Sequence, residues 1–171
     1  MKTSQIAIIV FAFFVSLLHS SQAFAEGSFA KLVFSYSSRS SEDGGTASSK
    51  STRMMYDLSA YYKFQGGGWV LGALYQNDAQ TSDATVDRTS YGVSGGWMTP
   101  RESGFYLLGT YFVSSKYGDF DGGNGYQLDL GYKVPTRVPL VLQMSYKHYE
   151  YSKYDHSDTL IDPYLGFMIM F

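Results

Sequence analysis

The chain has 171 residues, 18% of them aromatic and 16% charged, with no cysteine and a formal net charge of −2. One domain is expected at this length. The small negative charge excludes binding of nucleic acid through a basic surface, and the lack of cysteine excludes disulfides and thiolate metal sites.

The first element is a leader over residues 1–25. Lys2 supplies a positive start, Ile6 to Leu18 form an apolar run, His19 to Gln22 are more polar, and Ala23-Phe24-Ala25 matches a small-x-small cleavage site. The apolar run falls short of the roughly 20 residues a spanning helix needs. A cleaved signal peptide is therefore expected, with Glu26 opening a mature domain over residues 26–171.

The mature chain alternates with a period of two, in segments of about ten residues, the length of a tilted membrane-spanning strand. In the first strand Ala30, Leu32, Phe34 and Tyr36 share one face. In the second, Met54, Tyr56, Leu58, Ala60, Tyr62 and Phe64 oppose Asp57, Ser59, Tyr61 and Lys63. The third and fourth are noisier, with Trp69, Leu71, Ala73 and Tyr75, then Tyr91, Val93 and Trp97, on the apolar face. The fifth, Phe105 to Ser115, is ambiguous; setting Phe105, Leu107, Tyr111 and Val113 outward turns Thr110 and Ser114 inward. The sixth sets Tyr126, Leu128, Leu130, Tyr132 and Val134 against Gln127, Asp129, Gly131 and Lys133. The seventh sets Leu140, Leu142, Met144 and Tyr146 against Gln143, Ser145 and Lys147. The eighth sets Ile161, Leu165, Phe167, Ile169 and Phe171 against Asp162, Tyr164, Gly166, Met168 and Met170.

The polar face carries Lys31, Asp57, Lys63, Arg88, Asp129, Lys133, Lys147 and Asp162. A soluble barrel would turn that face to water. Here the continuous face is apolar, so it is read as the outer one, covered by lipid, and the charges as an interior network in which opposite signs must pair. Tight connections at Gln65 to Gly68, Thr99 to Gly104 and Pro135 to Arg137 alternate with looser ones at Ser40 to Ser51, Asn77 to Val86, Tyr117 to Asn124 and Ser152 to Asp158. Short periplasmic turns alternating with longer outer loops produce this rhythm. The expected fold is an all-β, eight-stranded antiparallel up-and-down transmembrane barrel. Outward aromatics cluster at strand ends, as a membrane girdle does: Trp69, Trp97 and Tyr132 by the short turns, and Tyr36, Tyr56, Tyr75, Tyr126 and Tyr146 towards the loops.

Leader, eight amphipathic strands, alternating turns and a last strand ending Tyr164-Leu165-Gly166-Phe167-Met168-Ile169-Met170-Phe171 together resemble the small outer-membrane barrel superfamily that includes the OmpA transmembrane domain, OmpX and NspA-like proteins. The resemblance covers the mature chain and is architectural. It implies a cell outer membrane location, lipid and lipopolysaccharide as neighbours, and a monomer. It also implies that Phe171 serves as the terminal aromatic signal read by the outer-membrane assembly machinery. No periplasmic domain is expected.

The superfamily includes enzymes acting on lipid A, and a deacylase of the PagL type places a His and a Ser two residues apart on a late strand. Here Glu150 and Tyr146 flank His148 at that spacing, and Ser145 lies on the opposite face. His156-Ser157-Asp158 has suitable residue types, but adjacent in a loop. No catalytic residue, metal ligand or cofactor is therefore assigned. Asp119-Phe120-Asp121-Gly122-Gly123-Asn124 opens like a calcium loop but has Leu130 where the twelfth-position acid belongs, and reads as an acidic glycine-rich turn. An eight-stranded barrel is only just wide enough for its own side chains. Inward Gly72, Gly92, Gly96, Gly131 and Gly166 then complement bulky Tyr61, Tyr164 and Met168. The functional expectation is a structural or surface-interaction protein with a closed, salt-bridged interior; the alternative is a narrow pore or small-molecule channel, with a lipid-A-modifying enzyme ranked below both.

Overall fold

The structure, a computed structural model, describes residues 27–42, 48–64, 68–81, 85–101, 103–136 and 139–170. The expected signal peptide and Phe171 lie outside them. Eight strands follow in order: β1 (Ser28–Glu42), β2 (Ser48–Lys63), β3 (Trp69–Thr81), β4 (Thr85–Met98), β5 (Gly104–Tyr117), β6 (Phe120–Val134), β7 (Leu140–Tyr151) and β8 (His156–Met170). Each pairs antiparallel with its neighbours, and β8 returns to β1 to close the barrel. A short 3-10 turn, Ser152–Tyr154, joins β7 to β8.

Why these segments become strands follows from what each face meets. Lys31, Asp57, Asp129 and Lys147 are fully buried, whereas Trp69, Phe105, Leu107, Leu130 and Ile161 on the other face are more than half exposed. Water would not tolerate so continuous an apolar wall, and hydrocarbon requires every backbone group to be paired. A closed antiparallel barrel in a membrane satisfies both conditions. Ala30 has an outward register yet is buried, a small side chain overshadowed on the wall.

Three expectations are corrected. The strands run 12 to 16 residues, not about ten. They extend into all four segments read as loops: β3 continues to Thr81, β4 begins at Thr85, β6 resumes at Phe120 and β8 starts at His156. In these extensions the inner face is buried but largely polar or aromatic, as at Asp78, Arg88 and Tyr151, so the pairing continues without a clean apolar alternation to reveal it. Ser114 does not face inward as expected. The β5–β6 register shifts between Phe112 and Ser115, and Ser115 becomes the buried residue. A β-bulge of this kind inserts one residue and so reverses the parity beyond it. Met170 shares the inward parity but lies 53% exposed at the lower rim, where the strand ends.

Candidate functional site

Inside the barrel an ionic lattice lies between two apolar clusters. At its centre Lys31, from β1, lies 3.3 Å from Asp129 of β6 and donates to Gln143 Oε1 of β7 at 2.7 Å. Asp129 also accepts from Gln127 and Ser145, each at 2.7 Å. Gln127 and Gln76 each donate to Asp57, at 3.0 and 2.8 Å, and Tyr149 donates to Gln76. Asp57 is therefore held by two amides rather than by a cation at contact distance. Charge-assisted bonds of this kind are what make a buried carboxylate tolerable.

Above this layer runs an arginine–aspartate ladder. Arg53, on β2, grips Asp78 of β3 with two bonds of 2.6 and 2.8 Å and reaches Asp162 of β8 at 3.1 Å. Lys147 lies 3.7 Å from the other Asp162 oxygen and bonds Tyr164. Arg88 bonds Asp158, lies 3.6 Å from Asp78 and donates to Tyr151 at 3.1 Å. Its guanidinium is sandwiched between the Tyr117 and Tyr149 rings, 4.4 and 4.3 Å from their centroids. Only a planar, five-donor cation meets all these partners at once. Arg88→Lys is thus expected to lower the urea midpoint of unfolding, by about 1–3 kcal/mol of stability. An unchanged midpoint would mean that the ladder is not held by Arg88.

Below the lattice, Phe29, Val70, Met98, Tyr106, Leu108, Val141 and Met168 form an apolar floor at the short-turn end. Above it, on the β3, β5 and β7 side, Leu74, Phe112, Tyr149 and Tyr151 form a second cluster, against which Tyr117, Phe120, Tyr154 and Leu160 pack. Two glycines show how the width is managed. A Cβ on Gly131 would run into the Tyr106 ring, and one on Gly123 into Tyr151. The missing side chains are the space those rings occupy.

Of the eight charges expected inside, seven are buried there: Lys31, Asp57, Arg88, Asp129, Lys133, Lys147 and Asp162. Lys63 shares that face but is only half-buried, because β2 ends there and its inward side faces the opening. Lys133 also departs from the expected pairing of opposite charges: it donates to the Thr99 and Arg101 carbonyls at 2.9 and 2.7 Å, tying β6 to the β4–β5 turn. Sequence reasoning missed Arg53, Asp78 and Asp158 as ladder members. Continuing the inward parity past Asp57 and Gln76 finds the first two; Asp78 and Asp158 were hidden in stretches read as loops, and Arg53 fell between the first loop and the face assigned to the second strand.

On the outer wall Tyr36, Trp69, Trp97, Tyr126 and Tyr146 are exposed, while Tyr56, Tyr75 and Tyr132 are half-buried against neighbouring rings. Trp69 faces Trp97 across β3–β4. Tyr56 pairs with Tyr75 at 6.2 Å, Tyr126 with Tyr146 at 6.0 Å and Phe105 with Tyr132 at 4.9 Å.

Among the described residues, neither His148 nor His156 is joined to both a nucleophile and an acid. His148 shares Nδ1 with the Thr159 hydroxyl at 2.9 Å on the outer wall, while Ser145 is buried on the inner one. His156 lies 3.4 Å from Asp158 among Tyr117, Phe120 and Tyr151, with Ser157 between them on the opposite face of β8. The acidic turn is held by protein groups. Asp121 accepts from Tyr154 at 2.9 Å and from Lys153 at 3.1 Å, and these bonds hold its carboxyl below the usual value and raise the Lys153 ammonium. No cluster of three or more metal-ligating side chains occurs among the described residues.

No family model and no curated protein sequence matches the chain. Among solved structures it is similar to the outer membrane protein Ail of Yersinia pestis in a phospholipid bilayer nanodisc, at 13% identity and a TM-score of 0.47, covering 85% of this chain and 100% of that one. It is similar to the outer membrane enzyme PagL at 10% identity and a TM-score of 0.43, covering 84% and 99%. A loop L8 deletion mutant of the Vibrio cholerae outer membrane protein OmpT gives 11% identity and a TM-score of 0.37; the chain spans 50% of that protein.

Proposed function

We propose that this is an integral protein of the cell outer membrane, delivered by a signal peptide cleaved after Ala25, with a structural and surface-interaction role and an interior sealed to solutes. Lipid and lipopolysaccharide surround it, the assembly machinery reads Phe171 during insertion, and the barrel works as a monomer. The observation that carries the sealed interior is the apolar floor beneath the ionic lattice. An ion that crossed the polar layer would still have to desolvate among Phe29, Val70, Met98 and Met168, at a cost of several kcal/mol or more. Eight strands leave only enough width for side chains, which agrees with that reading.

Planar-bilayer recording on refolded protein tests it. The expected trace has no steady single-channel steps, with correct folding verified by a compact band that shifts on heating. Steady steps from protein carrying that band would overturn the seal and make the narrow pore the better reading.

A further inference from the structure

The eight strand seams are not alike. The β7–β8 ladder runs from Leu140↔Phe167 to Tyr151↔His156, and the β3–β4 ladder from Trp69↔Trp97 to Thr81↔Thr85. The β1–β8 ladder starts at Phe29↔Met170 and stops at Phe34↔Leu165, just below the girdle residue Tyr36. Among the described residues no backbone pairing joins β1 to β8 above that point.

Pro163 supplies the cause. Met168 donates its N–H to Pro139, on the β7 side of β8. Alternate residues of a strand direct their amides to opposite neighbours, so residues 167, 165 and 163 turn theirs towards β1. At 163 there is no N–H to give, and proline is confined to strand edges for that reason. The register, if continued, would set Tyr36 opposite Pro163 and Ser37 opposite Asp162.

What crosses the seam is a side chain. Arg53 pairs with Ser37 in the β1–β2 register, and its guanidinium passes behind β1 to Asp162 on β8, 3.1 Å away. The bonds divide by lip. Arg53 is gripped bidentately by Asp78, on the β1–β2–β3 side, while Asp162 has Lys147 on the β7–β8 side. If the lips part, Asp162 leaves with Lys147, and one edge of the Arg53 guanidinium is left facing the gap without an acceptor. Outside the same gap, Tyr36 and Ile161 are each 67% exposed and Phe34 is 41% exposed.

We infer that the upper β1–β8 seam is a lateral gate, latched by Arg53 and Asp162, that admits the anionic head of a membrane amphiphile onto Arg53 while its chain lies along the apolar lips. The apolar floor makes this a binding site rather than a passage. The inference rests on the membrane-barrel reading of the preceding subsection. The ligand must carry a phosphate or carboxylate, because the separated guanidinium needs an acceptor. It must also carry an apolar chain, because the gap opens at the girdle.

The chain has no native cysteine, so a Ser38→Cys/Ile161→Cys pair, which the continued register sets opposite each other and which keeps Pro163, gives one protein that can be compared with the seam open (reduced) and locked (oxidised). In nanodiscs, the Arg53 Nε–H NMR resonance is followed during titration with dodecyl phosphate, inorganic phosphate and dodecyltrimethylammonium. A saturable shift with dodecyl phosphate alone is expected in the reduced form, with affinity lowered about tenfold or more on oxidation. Pro163→Val, which returns an N–H to the ladder, is expected to weaken binding in the same direction. Three outcomes would overturn the gate: no shift, an equal shift in both redox forms, or an equal response to inorganic phosphate. Protein that gives no compact, heat-shifted band would instead count against the barrel reading itself.

Discussion

Asp129→Ala is expected to destabilise the folded barrel by about 3–5 kcal/mol, the cost of leaving a buried cation without its counter-charge. Lys31 is fully buried 3.3 Å from that carboxylate, and its remaining direct acceptor is Gln143. The Tyr106 and Tyr61 rings, 5.2 and 6.0 Å from Nζ, offer partial compensation. Gln127 and Ser145 would lose an acceptor as well. The measurement is urea unfolding in lipid vesicles, followed by the fluorescence of Trp69 and Trp97. Replacing both partners, Lys31→Met with Asp129→Leu, should recover most of the loss, because two apolar side chains carry no uncompensated charge. If Asp129→Ala changes stability by less than about 1 kcal/mol, water reaches Lys31 and the lattice is not dry.

Gly131→Ala is expected to cost about 1–3 kcal/mol by overpacking. Gly131 of β6 stands opposite Tyr106 of β5 on one side and Gln143 of β7 on the other. The Tyr106 ring occupies the space a Cβ on the glycine would take, and its hydroxyl bonds Gln143 at 2.8 Å. A methyl group there must lift the ring, so the tyrosine bond is lost together with the packing. Tyr106→Leu in the Gly131→Ala background should be less harmful than the sum of the two single changes, since the shorter side chain leaves room for the methyl. Strict additivity in that double-mutant cycle would show that ring and glycine do not share the space.

These two expectations rest on different kinds of information, and so does the rest of the molecule. Within the membrane the alternation of apolar and polar residues follows from lipid on one face and a crowded lumen on the other. Strand number, the up-and-down order and the inward parity of Lys31, Asp57, Asp129, Lys147 and Asp162 could all be read from it. Above the girdle the inner face is filled by charged and aromatic side chains rather than set off against an apolar wall, so the extension of β3 to Thr81 and of β8 down to His156 left only a weak pattern to read. The bulge in β5 was equally hidden: inserting one residue changes which serine faces inward, and Ser114 and Ser115 are chemically identical in the sequence.

What the sequence determined by itself is the class of the fold and the inward face of the strands where they alternate regularly, because period-two alternation depends only on neighbours along the chain. Which charge meets which was decided by the tertiary structure alone. Lys31 and Asp129 are 98 residues apart, and Arg53 and Asp162 are 109 apart. Their meeting depends on the stagger of each strand against the next as the sheet closes on itself. The break at Pro163 belongs to both accounts. The proline is plain in the sequence, but that its missing N–H falls on the β1 side, at the seam between first and last strands, follows only from the register of the finished barrel.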